Sequence, residues 1–418
     1  MSSGDQRDIN AVFTPRRNDV NAKMYVDRAD LEKALTNAVS RSTHLLLFGE
    51  SGNGKSWLYK RVLEINKINY VVANCANASM KRSLVAEICS VALPSGTAIK
   101  TSYSEKKGAE VKAFGFGGNL GHEEKYDVKQ PDPLYSAFEA LYSSANGKTS
   151  VIVFDNLEQI FSSSELMAEL ASLIILLDDS RYAKLNVKFL IVGTPTGILD
   201  YFQKSPNMES VANRVTELPK VDCLSHSQVH QLVHKGFVLL LQARISATQV
   251  DDLASHIFNV TLGVAQRVHE YCETLAYLMR DRNWNYEATY LAQADKVWLM
   301  NGLRQSYSVV ETHLNSKNTA IARKNQVIFS IGKVTSHQFD SSSIEGLINS
   351  HFPETVPNTN MGLGSILGEL SKGETPLLVK NLKTNQYRVK DPRFVMCIRV
   401  MLYKDRAGRV ARKQFTAS

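Results

Sequence analysis

Residues 49–63 read GESGNGKSWLYKRVL and follow the apolar run Leu45-Leu46-Leu47-Phe48. Gly49, Gly54, Lys55 and Ser56 meet the spacing G-x-x-x-x-G-K-[S/T], with a strand pattern before the loop and a helical one (Leu58, Val62, Ile65) behind it. Glycines let the backbone wrap a polyphosphate with its N–H groups inward, and a helix start adds unpaired donors and a positive dipole end. Gly49, Glu50, Ser51, Gly52, Asn53 and Gly54 form the expected cradle, and Lys55 neutralises β and γ oxygens. Ser56 is a candidate Mg²⁺ ligand, and Trp57 stands beside it on the first helical turn. The stretch predicts a bound nucleotide, ATP or GTP, with Mg²⁺.

A second strand must supply the other half of such a site. VIVFDNLEQI places Asp155 after an apolar run, where it can hold the Mg²⁺ shell through water, with Asn156 next and Glu158 three residues on. Hydrolases of this kind often carry Glu directly after the Asp to polarise attacking water, and an amide cannot accept a proton there. Either Glu158 takes that role or turnover is slow. A third strand, VKFLIVGTPTGIL, sets Thr194 at the carboxyl edge of the sheet, as a phosphate sensor, a water-orienting hydroxyl or a plain turn residue. Arg214 in VANRVTELPKV and Arg267 in GVAQRVHEYCETLA have the planar fork that suits phosphoryl oxygens, one from a neighbouring subunit and one from the same chain, and surface ion pairing is the alternative for each.

At 418 residues the chain is long enough for two or three domains, and its 44% hydrophobic and 22% charged content is ordinary for a soluble protein. With no spanning apolar run and no signal-type segment in residues 1–22, it reads as cytoplasmic and not membrane-associated. Five dispersed cysteines without a C-x-x-C pair argue against a disulfide framework or zinc ribbon. Residues 304–418 hold 17 Lys+Arg against 8 Asp+Glu, while residues 1–303 hold 32 against 33, so the +8 excess is entirely C-terminal. Such localisation suits a nucleic-acid-facing module, or a solvated basic face.

The organisation read from periodicity is an N-terminal arm (1–22), an α/β core (23–224) with a polar, glycine-rich insert (95–132), a helical lid (225–303), a further module (304–403) and a basic tail (404–418). In the core, strand-like 70–75, 150–155 and 187–193 alternate with helix-like 83–93 and 133–145, the pattern of a parallel sheet. GFGGNLG in the insert is not a second phosphate loop, since no strand enters it, and reads as a hairpin or mobile loop. Beyond the lid, 306–334, 341–352 and 361–370 read as helices ahead of a hairpin. His226, His230 and His234 share a helical face, but no carboxylate is interleaved at ligand spacing and Val229, Leu232 and Val233 mark the adjacent face as core.

The order VDRADLE, GESGNGKS, VIVFDNLE, IVGT, NRV, a helical lid with GVAQRV and a basic C-terminal module resembles AAA+ and STAND-type P-loop ATPases, particularly origin-recognition/initiator-like and transposon-target-selector-like members. The resemblance spans roughly residues 22–400 and implies a parallel-sheet P-loop core with an α-helical lid and a C-terminal winged helix. It gives Arg28 a place at the nucleotide, Thr194 the first sensor position, Arg214 an arginine-finger position and Arg267 the second sensor. Asp27 stands where Gly is common, Ala265 where Pro often precedes the lid arginine, and DNLE is closer to STAND switches than to AAA+ motors.

Residues 361–370, in the place of a major-groove helix, offer Ser365 and Glu369 and no base-reading cation. Lys380, Lys383, Arg388 and Lys390 around the hairpin, and Lys404, Arg406, Arg409, Arg412 and Lys413 beyond it, are the candidate phosphate contacts, which favours nonspecific DNA binding. The expected protein is therefore an ATPase whose ATP state orders a homo-oligomer on DNA in replication, transposition or defence, with room for a protein partner encoded in the same system. The alternative is a slowly hydrolysing or non-hydrolysing signalling switch with the winged helix as an internal or protein-binding arm.

Overall fold

The computed structural model describes residues 8–94, 132–194, 208–315, 321–357 and 360–413. The chain divides into two compact units, one of residues 27–222 and the other of the described parts of 1–26 and 223–418.

In the first unit, β1 (His44–Phe48), β2 (Asn69–Asn74), β3 (Ser150–Asp155), β4 (Val187–Gly193) and β5 (Val215–Glu217) form one sheet in the order β2-β3-β4-β1-β5. Every neighbouring pair is parallel. Side chains alternate along a strand, and here both faces are covered, so the strands read as continuous apolar runs. Leu45, Leu47, Val151, Val153, Leu190 and Val192 join the core beneath helices Ala29–Val39 and Lys55–Ile65. Leu46, Ile152, Phe154, Phe189 and Ile191 face the opposite core with helices Leu84–Ala92, Pro133–Ser144 and Ser164–Leu176. Because β4 lies between β1 and β3, the ends of all three meet along one carboxyl edge. The insert 95–132 lies outside the described residues except for Asp132, whose carboxylate caps helix Pro133–Ser144.

The second unit is helical from His226 to His313, with a π turn at His234–Leu240. Ile9, Val12, Phe13 and Met24 share its core with the helices of the lid and of the C-terminal module. Gly236 in the π turn meets Phe13 so closely that a Cβ would overlap the ring, which fixes the N-terminal segment against the helix. Helices Arg323–Ile331, Ser341–His351 and Leu363–Leu370, the wing of β6 (Leu378–Lys380) and β7 (Tyr387–Val389), and the bridge Phe339↔Tyr387 make a winged helix. Helix Pro392–Met401 and a hairpin of β8 (Leu402–Lys404) and β9 (Val410–Arg412) follow it.

The single helix expected over 306–334 is instead two, Arg304–His313 and Arg323–Ile331. Leu314 is extended, the Asn315 N–H bonds Asn325 Oδ1 at 2.8 Å, and Ala322 has φ +44°, so the first helix stops before Leu314 and the second starts only at Arg323, while residues 316–320 lie outside the described residues. Among the described residues no helix is long and apolar enough to cross a membrane.

Candidate nucleotide site

The loop between β1 and helix Lys55–Ile65 owes its shape to close backbone approach. A Cβ on Gly49 would collide with the Val221 carbonyl oxygen, so the first loop position tolerates only glycine without movement. The same carbonyl accepts from Asn53 Nδ2 at 3.1 Å, and Asn53 is buried. Gly52 and Gly54 take left-handed φ values of 83° and 86°, and Gly54 caps the helix without any side-chain hydrogen bond. No side chain therefore caps the helix start, the arrangement that suits an anion at its first turn.

Arg28 buttresses this loop from outside. Its guanidinium donates to the carbonyls of Asn53 at 2.9 Å and Asp222 at 2.8 Å. Both bonds are charge-assisted, which makes Arg28 a brace of the cradle.

Lys55 Nζ lies back in the loop, on the carbonyls of Gly49 (2.8 Å) and Glu50 (3.1 Å). Burial lowers its pKa from the ordinary lysine value, and the carboxylates that oppose this are Glu158 first, then Asp155 and Glu50. A phosphate beside Nζ would restore the charge that burial disfavours.

From β3, Asp155 reaches the same place. Its Oδ2 accepts from Ser56 Oγ at 3.1 Å and from the Tyr59 hydroxyl at 2.9 Å, and its Oδ1 from the Asn156 N–H at 2.9 Å. Asn156 sits at φ 61°, a left-handed conformation that asparagine adopts more readily than glutamate, and starts the short 3₁₀ turn Leu157–Ile160. Glu158 Oε2, on that turn, is buried without a hydrogen-bond partner. Burial, with Asp155 and Glu158 nearby, pushes the Cys75 thiol up to about 12. Hard oxygen donors, Ser56 Oγ and Asp155, and an unpartnered Glu158 oxygen form a donor set that fits Mg²⁺.

Thr194 follows the last residue of β4. Register Phe48↔Gly193 and the Gly49 N–H bond to the Gly193 carbonyl at 3.3 Å set it level with the start of the loop. Arg214 precedes β5, where its Nε bonds Asp178 at 2.5 Å and its Nη1 bonds the Ser210 carbonyl. Trp57 lies on the first turn of the loop helix. Glu50 and Ser51 are exposed. Arg267 belongs to the second unit, on the first turn of helix Ala265–Arg280, ion-paired to Glu270 at 2.6 Å.

The basic C-terminal positions divide. Lys383 and Lys390 are exposed around the wing turn, Lys380 lies 5.6 Å from the Tyr387 ring centroid, and Arg388 is half-buried on β7. On the second hairpin, Arg406 and Arg409 are exposed. Lys404 instead donates to the His351 carbonyl at 2.6 Å, Arg412 is paired with Glu311, and Lys413 is 3.0 Å from the buried Asp295. The third helix of the winged helix exposes Gly364, Ser365 and Glu369, the last paired with Lys324 at 2.7 Å. His226 and His230 bond Ser255 and Asp251, and no group of three or more His, Cys, Asp or Glu side chains placed to hold a metal ion occurs among the described residues.

Tyr59 and the carbonyls of Val221 and Asp222 are site components that the motif did not reveal. Tyr59 was within reach, because it follows Ser56 by three and Lys55 by four on one helical face. The carbonyls carry no side-chain signal.

Residues 38–202 match the family model of the AAA domain. A Walker-type ATPase of Pyrococcus abyssi has a similar fold: 16% identity, 90% of this chain and 96% of that one covered, TM-score 0.50. The Aeropyrum pernix ORC2 protein in its ADP form is matched at 12% identity over 93% of this chain and 96% of that one, TM-score 0.48. Cdc6p of Pyrobaculum aerophilum is matched at 13% identity over 94% and 97%, TM-score 0.43. No curated protein matches the chain.

Proposed function

Given an AAA domain over residues 38–202, we propose that the protein binds and hydrolyses ATP with Mg²⁺, and that its nucleotide state controls self-association and DNA binding through the winged helix. The observation that carries the reading is the 3.1 Å bond from Ser56 to Asp155, which joins the phosphate loop to the end of β3. Ser56 and Asp155 would hold Mg²⁺, which neutralises phosphate charge when bound. Lys55 and the uncapped helix start take the phosphates, Arg28 keeps the loop in shape, and Glu158 orients the attacking water through its buried, unpartnered oxygen. Thr194 senses the γ-phosphate from the end of β4. Arg214 serves a neighbouring subunit's nucleotide, giving up its Asp178 partner on assembly, and Arg267 serves its own chain's.

DNA contacts fall to the wing cations Lys380, Lys383, Arg388 and Lys390 and to Arg406 and Arg409. Lys404, Arg412 and Lys413 contribute only by leaving the partners described above. A third helix that exposes glycine, serine and glutamate reads no base, so binding is to the backbone and nonspecific. A mobility shift with and without ATP, beside a turnover assay on the same preparation, tests this. The reading holds if ATP changes the shift on unrelated duplexes alike, and fails if no DNA binds at low salt in either state.

Asn156 favours a second reading, a switch that binds ATP and hydrolyses it slowly or not at all. A wild type that binds ATP but releases phosphate no faster than a protein-free control selects it.

A further inference from the structure

Tyr59 makes a contact that the phosphate-loop motif does not call for. Its ring is fully buried among Leu45, Leu47, Val151 and Val153, yet its hydroxyl emerges from that core to donate to Asp155 Oδ2 at 2.9 Å. The same oxygen accepts from Ser56 Oγ at 3.1 Å, while the Asn156 N–H holds Oδ1.

These donors differ in what they can do when a cation arrives. Ser56 must turn a lone pair to the metal, so its bond to Asp155 changes at the moment when the carboxylate has to be in place. Tyr59 is anchored by packing and is no metal ligand, although its hydroxyl also meets that of Ser56.

We propose that Tyr59 is a positioning residue for Asp155: its hydroxyl holds the carboxylate facing the loop, and thereby sets the affinity for the divalent cation that accompanies the nucleotide. The inference rests on the nucleotide reading above. A tyrosine that merely fills the core would leave cation affinity unmoved in Tyr59→Phe, because the ring packing is retained.

Calorimetry separates these roles. ATP affinity is measured in EDTA and across a Mg²⁺ titration for the wild type, Tyr59→Phe, Ser56→Ala, Asp155→Asn and the Tyr59→Phe/Asp155→Asn pair. Tyr59→Phe is expected to bind ATP in EDTA as the wild type does, while the Mg²⁺ concentration for half of the cation-dependent gain rises about tenfold, the low end of the ~10–100-fold range for groups that orient metal-site ligands. In the Asp155→Asn background, Tyr59→Phe should have no further effect. An unmoved or lowered half-point, a loss of cation-free affinity in Tyr59→Phe, or an effect that persists without the Asp155 carboxylate overturns the proposal. Failure of the wild type to bind ATP in either condition sinks the nucleotide reading itself, a result distinct from an intact Mg²⁺ dependence that Tyr59→Phe leaves unmoved.

Discussion

Gly49→Ala isolates the packing logic of the phosphate loop. An added methyl would overlap the Val221 carbonyl oxygen and stand 3.0 Å from the Val221 Cβ, and both neighbours are held by a chain bonded to β1 through the Val221 N–H and the Phe48 carbonyl at 2.8 Å. The obstacle is backbone, so relief requires the loop or that segment to shift, at about 1–3 kcal/mol for overpacking. The displaced carbonyl is also the acceptor of buried Asn53 Nδ2, whose lost bond adds about 1 kcal/mol. A total of about 3 kcal/mol lowers the melting temperature by roughly 6–12 °C for a domain of this size. ATP affinity should fall at least about tenfold, since the displaced amides are those that face the phosphates. Melting followed by circular dichroism and ATP titration of the same sample measure both. Asn53→Ala alone should reproduce a smaller part, and the double variant should fall short of the sum because the two share one carbonyl. Gly49→Ala with unaltered melting and affinity would refute the close-approach argument.

Asp155→Ala should reduce Mg²⁺-dependent ATP binding and turnover together, read by calorimetry and phosphate release. Glu158→Gln should leave ATP binding intact and slow hydrolysis by about 10²-fold or more, and unchanged hydrolysis assigns the water to another group. Neutralising Lys380, Lys383, Arg388 and Lys390 should weaken binding to all duplexes about equally and flatten the log–log salt slope by about one unit per lost contact, with ATP affinity retained. His269 is buried, accepts the Thr14 N–H on Nδ1 at 3.3 Å, and has its pKa lowered by burial to about 4. Unfolded histidine takes up its proton near 6.5, so the stability from the neutral ring is complete above that pH and is lost as pH falls toward 4, by about 3 kcal/mol in total. Melting temperature against pH should therefore drop less steeply in His269→Asn, whose amide oxygen can still accept that bond.

The parallel core was legible because its signals are local. Continuous apolar runs ending in Gly49, Asp155 and Thr194 announce strands buried on both faces, and the glycine spacing announces the cradle. The sheet order was not legible, since which strand lies beside which is decided by contacts far apart in sequence. Phe13 and Met24 joined a helical core because a few apolar residues in a polar stretch carry no period. The break near Leu314 was hidden for the opposite reason: the residues on both sides keep a helical pattern, and the extended backbone at Leu314 and the left-handed Ala322 leave no glycine or proline to mark it. The pairing of Arg412 with Glu311 and of Lys413 with Asp295 is equally invisible to a charge count, which registers cations without their partners.

The central claim is that Lys55 and its loop hold the phosphates of ATP, and the most direct measurement is the ATP affinity of the wild type beside Lys55→Ala by calorimetry, in Mg²⁺. Lys55 Nζ rests on the carbonyls of its own loop, so the variant is expected to fold. The account predicts heat of binding with the wild type and a loss of about 100-fold or more in the variant, the measure of one charge-assisted phosphate contact in a partly buried site. Equal affinities in the two proteins would contradict it.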